Sequence, residues 1–176
     1  MKLRLIILCT MALFAMHATA SAGGVSAGLF NSPKGFGISI DYLASDGIYN
    51  SYNAYADIYG MISGKYRNPG IKLVYLHYNR LASFDYQEAE CGLYLGPGVS
   101  SGVVRDSGSE KFGTILTADI ALSLRVSFQR NIDLELGTVA ELGFIARKNP
   151  QGVQMSIYNN GLVHALVPTL KIMARF

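Results

Sequence analysis

Three histidines, two cysteines and twelve carboxylates bound what this chain of 176 residues could catalyse or coordinate. A hydrolytic triad needs an imidazole within reach of a nucleophile and a carboxylate. His77 sits in Tyr75-Leu76-His77-Tyr78-Asn79 and His164 in Leu162-Val163-His164-Ala165, between apolar and aromatic neighbours that suggest structural histidines. No HExxH, CxxC or Gly-rich phosphate loop is present. His77, His164 and Cys91 stand at unrelated positions, which predicts neither a metal site nor another cofactor. The carboxylates Asp119, Asp133, Glu135 and Glu141 could form an acid–base pair. The basic residues Arg125, Arg147, Lys171 and Arg175 recur in the same sequence phase, which favours a network of ion pairs in an enclosed interior. No catalytic residue is therefore assigned. The value of such a network depends on geometry, because buried pairs repay their desolvation only when well aligned.

The elements that must position these residues begin after a leader. Lys2 and Arg4 precede an apolar run to Met16, and Ala18, Ala20 and Ala22 supply small residues at a peptidase-compatible spacing. This pattern predicts a cleaved secretory signal peptide over residues 1–22 and a single domain over 23–176. The run is too short for a spanning helix, which needs about 20 apolar residues. Removing the leader takes Cys9 with it and leaves Cys91 without an internal partner. It also leaves 13 basic against 12 acidic residues, so no basic surface argues for nucleic acid. Charged residues make up 15% of the chain, below the roughly one quarter usual in soluble domains. The 50% hydrophobic content rules out wholesale disorder.

The recurring period is two, the mark of strands with unlike faces. In Leu116–Gln129, Leu116, Ala118, Ile120, Leu122, Leu124, Val126 and Phe128 oppose a face carrying Thr117, Asp119, Ser123 and Arg125. In Ile132–Arg147, Ile132, Leu134, Leu136, Leu142 and Phe144 oppose Asp133, Glu135, Glu141 and Arg147, with only Arg130-Asn131 joining the two strands. Leu166–Phe176 alternates likewise and ends on an in-phase aromatic. Five weaker strands are expected over Gly24–Phe30, Phe36–Ser45, Tyr52–Ser63, Ile71–Phe84 and Glu88–Arg105. The phase of Ile71–Phe84 is ambiguous, because Val74, Leu76 and Tyr78 oppose Tyr75, His77 and Asn79. Gly96-Pro97-Gly98 reads as a bend, a bulge or a turn.

Apolar faces on long antiparallel strands pack together inside a soluble barrel, or face lipid in a membrane barrel. The polar faces here are small residues with isolated charges of both signs, rather than the dense Lys and Glu of a water-facing surface. That composition suits the narrow interior of an eight-stranded barrel. The expected fold is an all-β, eight-stranded antiparallel up-and-down transmembrane β-barrel. Its lumen charge network would comprise Asp119, Arg125, Asp133, Glu135, Glu141, Arg147, Lys171 and Arg175.

The whole segment after the leader resembles the small outer-membrane β-barrels of Gram-negative bacteria, the OmpX-like and OmpA transmembrane-domain-like group. The most specific parts are Leu170-Lys171-Ile172-Met173-Ala174-Arg175-Phe176 and Tyr94-Leu95-Gly96-Pro97-Gly98-Val99. The resemblance implies export to the outer membrane, contact with its lipid, and a monomeric barrel. It implies that Leu170, Ile172, Ala174 and Phe176 form the signal read by the barrel-assembly machinery. It further implies periplasmic turns at Asp46–Asn50, Asp85–Gln87 and Arg130–Asn131. Extracellular loops would lie near Asn31–Gly35, Gly64–Gly70, Asp106–Gly113 and Lys148–Ile157, where an extracellular ligand could bind. A second register drops the first strand, splits Glu88–Arg105 at Pro97 and reverses the early loops. The role implied is structural or loop-mediated interaction. Two alternatives are a barrel enzyme of the lipid A deacylase or omptin kind, whose local motifs neither histidine segment resembles, and a soluble periplasmic lipocalin-like barrel holding a small apolar ligand.

Overall fold

A computed structural model describes residues 24–58, 68–106, 109, 111–128 and 131–176, apart from the side chain of His164. The expected signal peptide, the end of the third expected strand beyond residue 58, most of Gly64–Gly70 and Arg130 lie outside the described residues.

The alternating segments form the wall of a barrel. The described strands are β1 (Val25–Ser32), β2 (Gly35–Ser45), β3 (Ile48–Asp57), β4 (Gly70–Tyr86), β5 (Ala89–Val104), β6 (Gly113–Phe128), β7 (Ile132–Asn149), β8 (Gly152–Ile157) and β9 (Thr169–Arg175). A short helix, α1 (Asn160–His164), joins the last two. Consecutive strands pair antiparallel from β1 to β8, while β9 lies between β1 and β7 and closes the ring. The eighth stave of the barrel is therefore composite. β9 pairs with Ile132–Gly137 of β7, and β8 pairs with Phe144–Asn149 of the same strand. Between them, α1 packs its Gly161 so closely on β7 that a Cβ there would lie 2.3 Å from the Glu141 carbonyl oxygen.

Three connections at one end are tight, and each uses a left-handed residue: Gly47 at φ 74°, Gln87 at φ 54° and Asn131 at φ 57°. Both ends of the described chain, Gly24 and Phe176, lie at this turn end, where the Phe176 amide donates to the Val25 carbonyl at 2.8 Å. The opposite end carries the two longer connections, β3–β4 and β5–β6, beside the two-residue turns β1–β2 and β7–β8, and is the loop end.

Three sequence expectations change. β3 starts at Ile48, four residues before the expected Tyr52, because the Asp46-Gly47 turn is only two residues long and pairing begins at once. The segment expected as the loop Lys148–Ile157 is mostly the β7–β8 hairpin, since Pro150-Gln151 suffices for the reversal. The alternative register that splits the chain at Pro97 is excluded, because β5 runs unbroken from Ala89 to Val104 and pairs with β6 throughout. Pro97 has no N–H to donate, and the β4–β5 ladder lapses beside it, between Leu76↔Gly98 and Asn79↔Leu95.

The barrel wall has opposite characters on its two sides. Outward positions carry Leu29, Phe36, Ile38, Ile40, Leu116, Ile120, Leu122, Leu136, Leu142, Phe144, Leu170 and Ile172, all exposed. Inward positions carry Ser39, Asp41, Ser51, Lys72, Ser100, Thr117, Asp119, Ser123, Asp133, Glu135 and Glu141, all buried. β4 settles its ambiguous phase against the simple rule, with Val74, Leu76 and Tyr78 pointing inward and Ile71, Leu73, Tyr75 and His77 outward.

Candidate functional site

The interior stacks in layers. At the turn end, Arg125 on β6 donates to Asp41 on β2 at 3.1 Å and to Asp133 on β7 at 2.7 Å. Its guanidinium also lies 4.6 Å from the centre of the Tyr49 ring. Arg175 on β9 pairs with the same Asp133 at 3.2 Å, and Lys171 pairs with Glu135 at 3.4 Å. The Glu135 carboxylate accepts from the Tyr49 hydroxyl at 3.2 Å, and Lys171 donates to Ser51 at 3.0 Å. These contacts tie β2, β3, β6, β7 and β9 together across the lumen.

An aromatic layer follows. Tyr49 and Tyr78 stack with centroids 4.6 Å apart, and Tyr94 meets Tyr49 edge-on at 5.0 Å. Val74, Leu76 and Ala121 complete the layer. Inward glycines make room for it: a Cβ at Gly96 would lie 2.8 Å from the Tyr78 ring, and one at Gly92 would lie 2.6 Å from the Tyr94 ring. Gly and Tyr act here as one packing device, in which the Tyr78 and Tyr94 rings each lie against a position with no side chain.

Towards the loop end, Lys72 pairs with Glu141, with 0% and 3% of the two side chains exposed, and its ammonium lies 5.5 Å from the Tyr55 and Tyr158 ring centres. Asp119 accepts from Thr117 at 2.7 Å and from Ser100 at 3.4 Å. Lys34, in the β1–β2 turn, is also buried. Burial lowers its pKa to about 8, an effect that outweighs the opposing pull of Glu141. Val104, Ile115, Ile145 and Tyr158 cap the layer. Above them Asp106 accepts from the amides of Asn159 at 3.0 Å and Asn160 at 2.8 Å, and Arg147 reaches it at 3.7 Å.

Of the residues singled out from the sequence, Arg125, Asp133 and Arg175 meet in one cluster and Glu135 with Lys171 in a neighbouring pair. Glu141, Asp119 and Arg147 lie towards the loop end with partners the sequence reading did not name: Lys72, the hydroxyls of Thr117 and Ser100, and Asp106. Asp41 and the inward tyrosines were also missed as members. Asp41 was legible as the residue opposite the apolar face of β2. Lys72 was hidden because β4 is apolar on both faces. On β9, Leu170, Ile172 and Ala174 point outward, and Phe176 is exposed beyond the strand.

Two cavities flank the aromatic layer. One of about 310 Å³ opens at the turn end and is lined by Asp41, Tyr49, Arg80, Tyr94, Arg125 and Asp133 among others. The other, of about 40 Å³, lies among Lys34, Asn53, Tyr78, Glu141 and Lys171 and has room for a few water molecules. Tyr49 lines the first and Tyr78 the second, and the two rings stack on each other. His77 points out of the barrel, where its Nδ1 and the Tyr75 hydroxyl share the Asn50 side-chain oxygen, each at 2.9 Å. Those contacts include neither a serine or threonine hydroxyl nor a carboxylate.

This geometry has a solved counterpart. The N-terminal β-barrel domain of Pseudomonas aeruginosa OprF superposes with a TM-score of 0.55 at 17% identity, covering 88% of this chain and 99% of that one. The chain has the fold of an outer-membrane β-barrel. The barrel also matches a major outer membrane protein from Thermus thermophilus (TM-score 0.46, 14% identity, 89% and 100% of the two chains). Neisserial surface protein A matches at TM-score 0.40 and 17% identity, over 87% and 92%. No protein-family model and no curated protein matches the chain.

Proposed function

We propose that this protein is an integral outer-membrane barrel with a structural or loop-mediated interaction role, and that it neither conducts solutes freely nor catalyses a reaction. The observation that carries the reading is the inverted wall. Leu116, Ile120 and Leu122 on β6 are 68%, 59% and 45% exposed, while Thr117, Asp119 and Ser123 between them are 3%, 2% and 1% exposed. A soluble protein rarely leaves contiguous apolar patches above a few hundred Å² in water, so a belt running around the barrel calls for hydrocarbon. A closed ring leaves no lengthwise strand edge unpaired through most of that belt, as a bilayer demands. The same inversion argues against the lipocalin-like alternative, which needs the apolar side inside.

The tyrosine layer supports a plug rather than a pore. The ionic layers above and below it fasten strands that are distant in sequence, and that is their function here. Export through a cleaved leader and recognition of Phe176 by the assembly machinery belong to the same proposal. The loops would carry any specific interaction, by analogy of fold. The test combines two measurements on refolded full-length protein in liposomes: heat-modifiable gel mobility and swelling in arabinose. Shifted mobility without swelling is the expected pair. Water-soluble protein without a mobility shift overturns membrane residence, and rapid swelling overturns the plug.

A further inference from the structure

The apolar belt is broken on the outer faces of β3 and β4. The outward positions there carry Asn50 and Tyr52 on β3 and Tyr75, His77 and Asn79 on β4, all half-buried. The antiparallel register sets Asn50 beside His77 and Tyr52 beside Tyr75. This polar patch lies inside the belt, not at its rim. Ile40 of β2 flanks Tyr52, and Val99 and Leu95 of β5 flank Tyr75 and Asn79. Along β4, Leu73 follows towards the loop end and Leu81 towards the turn end, and all five of these apolar residues are exposed. Polar side chains at such a depth have neither water nor headgroups to bond. Part of the demand is met within the patch. The Tyr75 hydroxyl and His77 Nδ1 both donate to the Asn50 side-chain oxygen at 2.9 Å, and the Tyr52 and Tyr75 ring centres lie 5.2 Å apart. An amide oxygen only accepts, so the imidazole proton sits on Nδ1 and Nε2 is left as an acceptor. Among the described residues, no contact uses His77 Nε2, the Asn50 amide nitrogen or the Asn79 side chain. Unused donors and unused acceptors therefore share one face.

Acyl chains can satisfy neither set, so the face calls for protein at the same depth. We propose that it is a lateral dimer interface and that its occupant is a second copy of this chain, the two barrels standing side by side and the same way up. Two features select a second copy. A face that carries donors and acceptors together is complementary to itself, as a two-fold interface requires. A two-fold axis along the membrane normal also keeps every residue at its own depth, whereas an unrelated partner would need matching groups at that level. The axis sets β3 of one copy against β4 of the other. Asn50 and His77 are register partners at nearly one height, so the Asn50 amide of each copy meets His77 Nε2 of the other, with the tyrosine rings as apolar contact around them. The inference rests on the membrane residence proposed above and replaces the monomer implied by the family resemblance.

The experiment is sedimentation equilibrium of full-length protein in density-matched micelles, after heat-modifiable mobility has shown it to be folded. Failure to fold into micelles would count against membrane residence; folded protein that stays monomeric at every concentration overturns this interface alone and leaves the patch to a different protein. Wild type should reach a dimer and go no further. His77→Leu and Asn79→Leu should each weaken dimerisation about tenfold, because one hydrogen bond between membrane segments is worth a factor of about three and the two-fold makes it twice. Both variants place leucine in the belt, so the mobility shift of the folded barrel should persist. Leu136→Ala, on the opposite side of the ring, should leave the dimer unchanged. A folded His77→Leu/Asn79→Leu double variant that associates like wild type, or an equal loss from Leu136→Ala, would also overturn the proposal.

Discussion

Replacing Lys72 tests the interior most sharply, because its facing could not be read from the β4 sequence. Lys72 and Glu141 are paired with essentially no exposure, and the Lys72 ammonium otherwise sees the rings of Tyr55 and Tyr158. Lys72→Met leaves the Glu141 carboxylate buried with its principal cation gone. Breaking one side of a buried pair costs about 3–5 kcal/mol. Lys34 still acts electrostatically on Glu141, which places the expected loss near the lower figure, about 3 kcal/mol. Glu141→Gln should lose a similar amount, softened by the tyrosine faces that remain around the ammonium. The double variant removes both charges at nearly constant volume and should lose less than either single variant, since no unpaired charge is left buried. The cycle therefore predicts a coupling of several kcal/mol. The chain has no tryptophan, so urea unfolding in liposomes would be followed by circular dichroism and gel mobility. A stabilising Lys72→Met would mean that the lysine faces hydrocarbon, and strictly additive single variants would mean that the pair does not form.

Other perturbations separate the wall from the lumen. Leu122→Arg should cost about 2–4 kcal/mol, as for a cation at the bilayer midplane, and the cost should change with bilayer thickness. Ser123→Arg, next door but buried and 3.4 Å from the Tyr49 hydroxyl, should instead act by crowding, about 1–3 kcal/mol, with no dependence on thickness. The Lys34 side chain should titrate near pH 8 by carbon-detected NMR. Because its folded pKa lies below the unfolded value, its desolvation cost is present in full below about pH 8 and relieved as pH rises towards 10.5, so its contribution to stability increases across that window. A midpoint near 10.5 would contradict its burial. Deleting Phe176 should lower the yield assembled in the outer membrane while leaving the urea midpoint of the folded fraction nearly unchanged; unchanged yield would remove the assembly role.

Alternation on β6 and β7 was legible because their two faces differ so sharply in chemistry, and those strands supplied much of the charge network. β4 was not, since its inward face carries Val74, Leu76 and Tyr78, and Leu76 and Tyr78 pack against Gly98 and Gly96 of β5. With that face unread, Lys72 had no assigned side. The tyrosine layer was equally hidden, because it depends on register: Gly96 means a turn or a bend until its inward face is set beside the Tyr78 ring. The composite eighth stave escaped for another reason. β8 has six residues with nearly all side chains exposed, so its sequence shows neither the length nor the alternation of its neighbours. α1 was missed because, at five residues, it is too short to show a helical period.

The central claim is the orientation of the wall. It is tested most directly by nitroxide labels placed singly at each residue from Leu116 to Phe128, with the protein in bilayers and collision with dissolved oxygen as the readout. Oxygen concentrates in hydrocarbon, so maxima are expected at Leu116, Ala118, Ile120, Leu122 and Leu124, with minima at Thr117, Asp119, Ala121 and Ser123. The opposite phase, with the carboxylate side meeting the surroundings, would contradict the account.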